Sequence, residues 1–355
     1  MKKSFTAKRQ EDVLLKRDLF LKDFGKGVNF DAQKLTLSKF FETWLETTVR
    51  VNTRRATFEH HARIASNHIL PTLGHLQLLE LTPAHVQTLY AAKFDAGYAL
   101  STRRHIHVTL GKALKQAVKW HYLTTSPTAG AEVPQADAAL LDYEDLPDPD
   151  MGILEEWQAK RFLVTAKEHD PRHWALYVLA LATGMRQGEL LGLPRTRLDL
   201  ARRLVRVRQT LVLVKGGFEF GRPKTMASKR DIELRAEAVE ALRLHHKLQL
   251  EERMRLGGLK DYGLVFSTTV GTPIRRQNLH RRSFKPLLEE AGLPNIRFHD
   301  LRHTFASIAL GRGANINTVS KMLGHSSVKI TLDVYGHLMP GMQSEALGHL
   351  DGVFT

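Results

Sequence analysis

The stretch PRHWALYVLALATGMRQGEL, residues 171–190, decides the fold of the second half of the chain. Its residues up to Thr183 are strongly apolar, which predicts a helix that packs inside a core. Gly184 then permits a tight turn, and Arg186 and Glu189 follow three residues apart on the next helix, where they share a face. This pair is either a surface ion pair, worth under about 1 kcal/mol, or part of a functional site.

Helical and strand patterns surround this stretch. Apolar residues at helical spacing predict further helices over 157–168, 235–255, 277–291, 300–312, 315–323 and 327–335. Residues rich in Val, Leu and Thr predict strands over 204–214, 218–220 and 230–234. Helices around a few strands make the predicted fold class mainly α with a small antiparallel β-sheet (α+β).

Composition and charge limit what the chain can do. Of its 355 residues, 43% are hydrophobic and 25% are charged, as in ordinary globular proteins, and the length favours two domains. The formal net charge of +15 favours a polyanionic partner, nucleic acid before an acidic membrane surface. Because the chain has no run of eighteen apolar residues and no signal-peptide pattern, we expect no membrane span. The absence of cysteine excludes disulfides and thiolate zinc sites.

The first half of the chain, residues 35–125, has an all-helical pattern. Apolar residues recur at helical spacing in TLSKFFETWLETT from Thr36, over 57–69, after Pro83 and over 101–122. The last of these helices carries basic residues that either bind DNA or form a solvated face: Arg103, Arg104, Lys112, Lys115 and Lys119. The histidine pairs on predicted helices are expected to be solvated: His60 with His61, and His245 with His246.

An acidic segment separates the two halves. Residues 126–151 contain seven acidic residues, four prolines and no Lys or Arg. This composition predicts an extended linker between two basic domains, with an acidic disordered segment as the alternative.

The stretch FHDLRHTFAS, residues 298–307, places two histidines and an arginine within five positions. His299 and His303 are four apart, which suits two imidazole metal ligands on one helix face. However, no glutamate stands beside His299 as in HExxH sites, and arginines such as Arg302 would repel a divalent cation. We therefore favour a phosphate site here and expect no metal and no cofactor.

Two other stretches add a lysine, a histidine and a tyrosine. RPKTMASKRDI, which begins at Arg222, is a basic turn between two strands with Lys224 near its tip. LGHSSVKITLDVYGH, which begins at Leu323, has His325 at a helix-to-loop corner and Tyr335 ten residues later. The alternatives to a functional role are a solvated lysine and a buried tyrosine with a bonded hydroxyl.

These residue types together can break and reform a phosphodiester bond. Two guanidinium groups can each offer a planar fork of donors to the non-bridging oxygens, and they stabilise the added charge of a pentavalent transition state. Histidines supply hydrogen bonds and transfer protons near neutral pH. A lysine can protonate the departing oxygen, and a tyrosine can attack phosphorus to form a covalent intermediate.

The motifs, taken in order, resemble the signature of the tyrosine recombinases, or phage-type integrases. The matching residues are Arg186 in TGMRQGEL, His299 and Arg302 in HDLRH, His325 in LGHSS and Tyr335 in DVYGH. The resemblance covers about residues 35–355, including HILPTLGHLQLLELTP in the first half.

The resemblance implies a role for each matching residue. Arg186 and Arg302 would clamp the scissile phosphate, His299 would assist proton transfer, and His325 would bond the phosphate. Tyr335 would attack to form a 3′-phosphotyrosine and release a 5′-hydroxyl. The remaining roles concern residues beside these motifs: Lys224 as general acid, with Lys215 and Lys229 as alternatives, and Glu189 and His303 as supporting residues.

The resemblance also implies an organisation. It divides the chain into a basic extension (1–34), a helical SAM-like core-binding domain (35–125), the acidic linker (126–151), a catalytic domain (152–337) and a tail for contact with the adjacent protomer (338–355). Residues 1–34 are too short for the arm-binding domain of many integrases, so we expect a basic extension that contacts DNA or a neighbouring protomer.

The expected function is site-specific DNA recombination, integration or excision, by an enzyme of a mobile element. Its partners would be double-stranded DNA and accessory DNA-bending proteins. The enzyme would be a homotetramer on paired DNA sites and a monomer when free. We expect a cytoplasmic, nucleoid-associated enzyme, bacterial or phage-encoded, with no membrane partner.

Three other functions are open at this point. A type IB topoisomerase-like relaxase would use the same tyrosine chemistry without a preferred site. An architectural DNA-binding protein would have no need of the full set of candidate catalytic residues. A metal-dependent transposase would require a carboxylate triad, and the sequence has no compelling one.

Overall fold

The computed structural model describes residues 34–132, 152–221, 227–256 and 261–336. The chain divides into two compact units, one within residues 1–139 and one within residues 140–355. Most of the predicted extension and linker and the whole predicted tail lie outside the described residues, and so does Lys224.

The first unit is all-helical, as predicted. Helix α1 (Leu37–Trp44) continues through a π-helical turn (Leu45–Val49) into Arg50–Asn52, and α2 (Arg55–Ile64) continues through a second π-helical turn (Ala65–Ile69) into Leu70–Leu73. Helices α3 (Pro83–Asp95) and α4 (Leu100–Lys119) complete the unit, with 3₁₀ turns at Leu78–Glu80 and Pro127–Gly130. The two π-helical turns were not predicted from the sequence.

Aromatic side chains of α1 form the centre of this unit's core. Thr36 caps the helix by accepting the backbone N–H of Lys39 at 3.3 Å. The Phe40 ring packs edge-on against Trp120 with centroids 5.9 Å apart, and Phe41 packs likewise on Trp44 at 5.5 Å. Each fully buried aromatic side chain stabilises the fold by about 1.5–3 kcal/mol relative to an exposed one.

The prediction that the paired histidines are solvated is wrong for His61 and His245, which are 5% and 4% exposed. The Nδ1 atom of His61 lies 2.9 Å from the Thr109 hydroxyl, so a partner on α4 satisfies the buried ring. Burial, with a smaller effect of Lys112, lowers the pKa of His61 to about 4. The helical pattern did not predict this burial, because histidine counts as polar in the pattern and its partner Thr109 lies 48 positions away.

The stability of the first unit is expected to fall as the pH drops from 6.5 to 4. The unfolded state binds the proton near pH 6.5 and the folded state near pH 4, so neutral His61 stabilises the fold above this window and the contribution is lost below it. His61→Gln can still bond Thr109 without titrating, so its unfolding temperature should depend less on pH. Thermal unfolding with hydrogen exchange of α2 and α4 measures this, and exposed His246→Gln is the control. An unchanged pH slope in His61→Gln would contradict the assignment.

The second unit combines helices with two small sheets. Its helices are α5 (Glu156–His169), α6 (Pro171–Thr183), α7 (Gln187–Leu191), α8 (Ala236–Leu256), α9 (Arg276–Leu279, a π-helical turn His280–Phe284, and Lys285–Glu290), α10 (Asp300–Gly311), α11 (Ile316–Leu323) and α12 (Val328–Tyr335). Its strands are β1 (Leu198–Asp199), β2 (Leu204–Val207), β3 (Thr210–Val214), β4 (Gly217–Gly221) and β5 (Arg230–Glu233). A 3₁₀ turn spans Arg195–Arg197.

The sheets confirm the α+β class but correct the predicted strand 204–214. One antiparallel sheet has the order β1-β2-β5, and the other pairs β3 with β4. The predicted strand breaks at Arg208 and Gln209 into β2 and β3, which belong to different sheets. The side chains at the break bond to other segments: the Arg208 guanidinium donates to the Arg230 carbonyl at 2.8 Å, and the Gln209 amide donates to the Gly192 carbonyl at 2.7 Å.

Helix α6 lies in the main core, as its apolar sequence predicts. Tyr177 on α6 is buried, and its hydroxyl lies 2.5 Å from the Ser283 hydroxyl. The helix ends at Gly184, which has a left-handed φ of 62°. A Cβ at Gly184 would approach the Phe305 ring to 2.5 Å, so the turn needs glycine for both reasons. This turn directs the chain into α7. Within the ranges given above, no helix combines the length and apolar character needed to span a bilayer.

Candidate functional site

Arg302 connects three segments that are far apart in the sequence. Its side chain lies on α10 and is 2% exposed. Its Nη1 atom donates to the carbonyl of Gly184 at 2.8 Å and to the carbonyl of Leu323 at 2.7 Å. These carbonyls stand two residues before Arg186 and His325. Buried Arg302 therefore holds the turns that precede two other candidate residues.

Arg186 precedes helix α7, rather than lying on it as the sequence indicated, because α7 begins at Gln187. Its backbone N–H donates to a Glu189 carboxylate oxygen at 2.9 Å, which caps the helix. Its guanidinium lies 3.5 Å from the other carboxylate oxygen. The interpretation as a surface ion pair is wrong, because Glu189 is 3% exposed.

Glu189 also binds a residue that sequence analysis missed. Arg230, the first residue of β5, donates to both carboxylate oxygens of Glu189 at 3.0 and 2.8 Å. Burial alone would raise the pKa of Glu189, but the charge of Arg230, helped by Arg186 and Arg302, holds that pKa below its usual range. Three guanidinium groups therefore act on one buried carboxylate.

Arg230 links this carboxylate to two further segments. Its Nε atom donates to the carbonyl of Met322, and its Nη1 atom donates to the carbonyl of Ser228 at 3.1 Å. Strand β5 alternates buried and exposed residues, so Arg230 shares the buried face with Ile232. That alternation is the signal that could have identified Arg230 as a buried residue.

His325 stands where α11 ends, at the helix-to-loop corner that the sequence predicted. Gly324 closes the helix in the left-handed region with φ 70°. The ring of His325 is mostly buried, and its Nδ1 atom lies 2.8 Å from the Thr331 hydroxyl on α12. This contact orients the ring, so Thr331 is a second residue that sequence analysis missed.

His303 and Tyr335 contact each other directly. Tyr335, the last residue of α12, is 1% exposed, and its hydroxyl oxygen lies 2.6 Å from Nδ1 of His303. The His303 ring packs edge-on against His299 with centroids 5.1 Å apart. His299 immediately precedes α10 and is half-buried. The alternative considered for Tyr335, a buried ring with a bonded hydroxyl, describes its position in this structure.

The other candidate residues lie on other elements. Lys215 lies in the exposed turn between β3 and β4, and Lys229 is exposed beside Arg230. On α4 of the first unit, Lys112, Lys115 and Lys119 are exposed at helical spacing, and Arg103 and Arg104 are half-buried. The guanidinium of Arg103 lies over the Phe94 ring at 4.9 Å.

The described part of the second unit thus collects Arg186, His299, Arg302, His325 and Tyr335 around linked turns and helices. Three guanidinium groups, those of Arg186, Arg230 and Arg302, act on the buried carboxylate of Glu189 in this cluster. Such a site favours an anion with several acceptor oxygens, such as a phosphodiester. Among residues 34–132, 152–221, 227–256 and 261–336, no group of three His, Cys, Asp or Glu side chains is placed to hold a metal ion.

Comparisons with known proteins match both units. The model of the phage integrase family matches residues 153–341, and the model of the phage integrase N-terminal SAM-like domain matches residues 36–94. A tyrosine recombinase XerC-like protein of Caldanaerobacter subterraneus subsp. tengcongensis is 29% identical, with the match covering 100% of this chain and 92% of that protein. An integrase of Streptomyces ambofaciens is 30% identical over 94% of this chain and 84% of its own length.

Solved structures of integrases share the fold. The integrase of transposon Tn1549, in complex with transposon right end DNA, superposes with a TM-score of 0.72 at 20% identity, covering 90% of this chain and 100% of that chain. A lambda integrase tetramer bound to a Holliday junction superposes with a TM-score of 0.59 at 16% identity, covering 91% of this chain and 86% of that chain.

Proposed function

The chain belongs to the phage integrase family and is a site-specific tyrosine recombinase, and from this premise we propose which residues carry out the reaction. The proposal rests mainly on the position of Arg302. Its hydrogen bonds to the carbonyls of Gly184 and Leu323 hold together the turns that precede Arg186 and His325. Family membership favours recombination at specific sites over a relaxase without site preference, an architectural protein or a metal-dependent transposase.

Arg186 and Arg302 bind the non-bridging oxygens of the scissile phosphate, His325 adds a hydrogen bond to it, and His299 assists proton transfer. Because the arginines are held by buried partners, their charge is already in place when negative charge develops on phosphorus. The hydroxyl oxygen of Tyr335 attacks phosphorus, and the bond to the 5′-oxygen breaks. Lys224, which precedes β5 in the sequence, protonates that oxygen. Attack by the 5′-hydroxyl of another strand reverses these steps and completes the exchange.

Glu189 and Arg230 position this machinery. The carboxylate of Glu189 holds both the backbone and the guanidinium of Arg186. Arg230 connects Glu189 to the segment before His325 and stands six residues after Lys224. Arg302 and Tyr335 are 2% and 1% exposed, so the proposed reaction requires a rearrangement that brings both side chains to the phosphate.

Double-stranded DNA is the partner, and residues 35–125 supply a second binding surface through α4. Its basic residues neutralise phosphates, so the logarithm of affinity should fall with the logarithm of salt by about 0.9 per contact. Two duplexes exchange strands in a homotetramer, as the lambda integrase tetramer on a Holliday junction suggests, and the free protein is a monomer. We also propose that accessory DNA-bending proteins take part in the reaction and that the enzyme acts in the cytoplasm, on the nucleoid.

Wild-type protein is expected to form a covalent DNA adduct without metal. The substrate is a nicked duplex from the DNA that flanks the gene, in which the short released strand diffuses away and traps the intermediate. A denaturing gel should show the adduct at equal yield with and without EDTA, because guanidinium groups rather than a metal stabilise the transition state. Tight binding of the flanking DNA with no adduct would overturn the proposed function, and an adduct that EDTA abolishes would overturn the metal-free mechanism.

A further inference from the structure

We propose that His303 is a further catalytic residue, which accepts the proton of Tyr335 through Nδ1 as the tyrosine attacks phosphorus. This inference rests on the proposed function, because it requires Tyr335 to be the nucleophile. His303 then does more than support α10, and the two proton transfers of the reaction are carried out by different residues. His303 serves the attacking oxygen, and Lys224 serves the departing oxygen.

The proposal rests on the short distance between the Tyr335 hydroxyl and the His303 ring. The Tyr335 hydroxyl oxygen lies 2.6 Å from Nδ1 of His303, a short hydrogen bond between two side chains that are 1% and 5% exposed. For Nδ1 to accept this proton, the neutral ring carries its own proton on Nε2. A hydrogen bond in such a low-dielectric site is stronger than the same bond in water.

The surrounding structure holds His303 in this position. The next residue toward the N-terminus, Arg302, bonds to two backbone carbonyls and fixes this turn of α10. His299, one turn earlier, packs edge-on against the His303 ring. Tyr335 is buried with Val334 at the end of α12, in the same apolar cluster as Ala306 of α10. Both helices therefore present the two groups at a defined separation.

The chemistry needs such a group. A phenol with a pKa near 10 is almost entirely protonated at neutral pH, whereas an imidazole with a pKa near 6.5 is largely neutral and can accept a proton. In the proposed step, the bond from Tyr335 oxygen to phosphorus forms and the bond from phosphorus to the 5′-oxygen breaks. The phenolic proton moves to Nδ1 of His303, and the departing 5′-oxygen takes a proton from Lys224. The reverse reaction returns the proton from His303 to Tyr335.

The test varies the acidity of the nucleophile. His303→Asn places an amide near the position of Nδ1, which can bond the hydroxyl but cannot take its proton. Position 335 of the full chain carries either tyrosine or 2,3,5-trifluorotyrosine, whose phenol is much more acidic. First-order rates of adduct formation are measured on the nicked substrate with protein in saturating excess, so that they do not depend on the folded fraction. His246→Asn, an exposed change on α8, is the matched control.

With natural tyrosine, His303→Asn should slow adduct formation by about 10²-fold or more, within the range of general base catalysis. With trifluorotyrosine the same substitution should cost less than about tenfold, because the more acidic phenol loses its proton with less help from a base. Equal costs with both tyrosines would show a structural role and overturn the inference. Failure of the wild type with natural tyrosine to form any adduct would instead overturn the proposed function, and this inference with it.

A measurement on otherwise wild-type protein covers the case in which His303→Asn does not fold. If His303 already accepts the proton, trifluorotyrosine at position 335 should leave the rate unchanged or lower it, because the oxygen of the fluorinated phenol is a weaker nucleophile. A rate increase of about tenfold or more would mean that loss of the Tyr335 proton limits the rate of the wild type and that no base assists it. This result would overturn the inference.

Discussion

Tyr335→Phe is expected to form no covalent adduct while it binds the same DNA with the affinity of the wild type. The substitution removes the single oxygen that attacks phosphorus and leaves the ring in its buried position. The lost hydrogen bond to His303 should lower the free energy of unfolding by about 1 kcal/mol. Adduct formation is measured on a denaturing gel, and affinity is measured by equilibrium binding to an intact duplex.

Tyr177→Phe provides a matched control for this change. Tyr177 is also buried in the second unit, and its hydroxyl also has a side-chain partner, Ser283 at 2.5 Å. The control should lose comparable stability and keep the adduct. If Tyr335→Phe keeps the adduct, another tyrosine is the nucleophile, and the roles proposed for both Tyr335 and His303 are wrong.

Loss of either partner of the buried pair Glu189–Arg230 is expected to destabilise the second unit by about 3–5 kcal/mol. Arg230→Met leaves the Glu189 carboxylate buried without its bidentate partner, and Glu189→Leu leaves three guanidinium groups around an apolar side chain. The double variant should recover much of the stability, because no buried charge of the pair remains. Chemical denaturation of the four proteins gives the coupling free energy.

Stability and activity should respond differently in the double variant. The double variant is expected to remain slow in adduct formation, because Arg186 has lost the carboxylate that holds its backbone and guanidinium. The exposed pair Arg312–Glu156 is the control, with bonds of 2.9 and 2.7 Å and side chains that are 68% and 36% exposed. Arg312→Met should cost less than about 1 kcal/mol. An equal cost for Arg230→Met would show that the buried pair contributes no more than a surface pair.

Local sequence patterns determined the residue types of the site and the elements that carry them. The apolar run before Gly184 determined a buried helix, because a helix that is apolar on every side must pack inside a core. The chain order of Arg186, His299, Arg302, His325 and Tyr335 determined the family resemblance. Each motif depends on neighbours within a few positions, and the order of the motifs follows directly from the chain, so one sequence is enough to recognise them.

Only the tertiary structure decided which side chains meet. The pairing of Glu189 with Arg230, the contact of His303 with Tyr335 and the burial of His61 against Thr109 each join segments at least 32 positions apart. Helical and strand periods define which face of an element is buried, but not which distant residue lies opposite it. That choice depends on how whole elements pack, because buried polar groups and charges are stable only where packing brings them a partner.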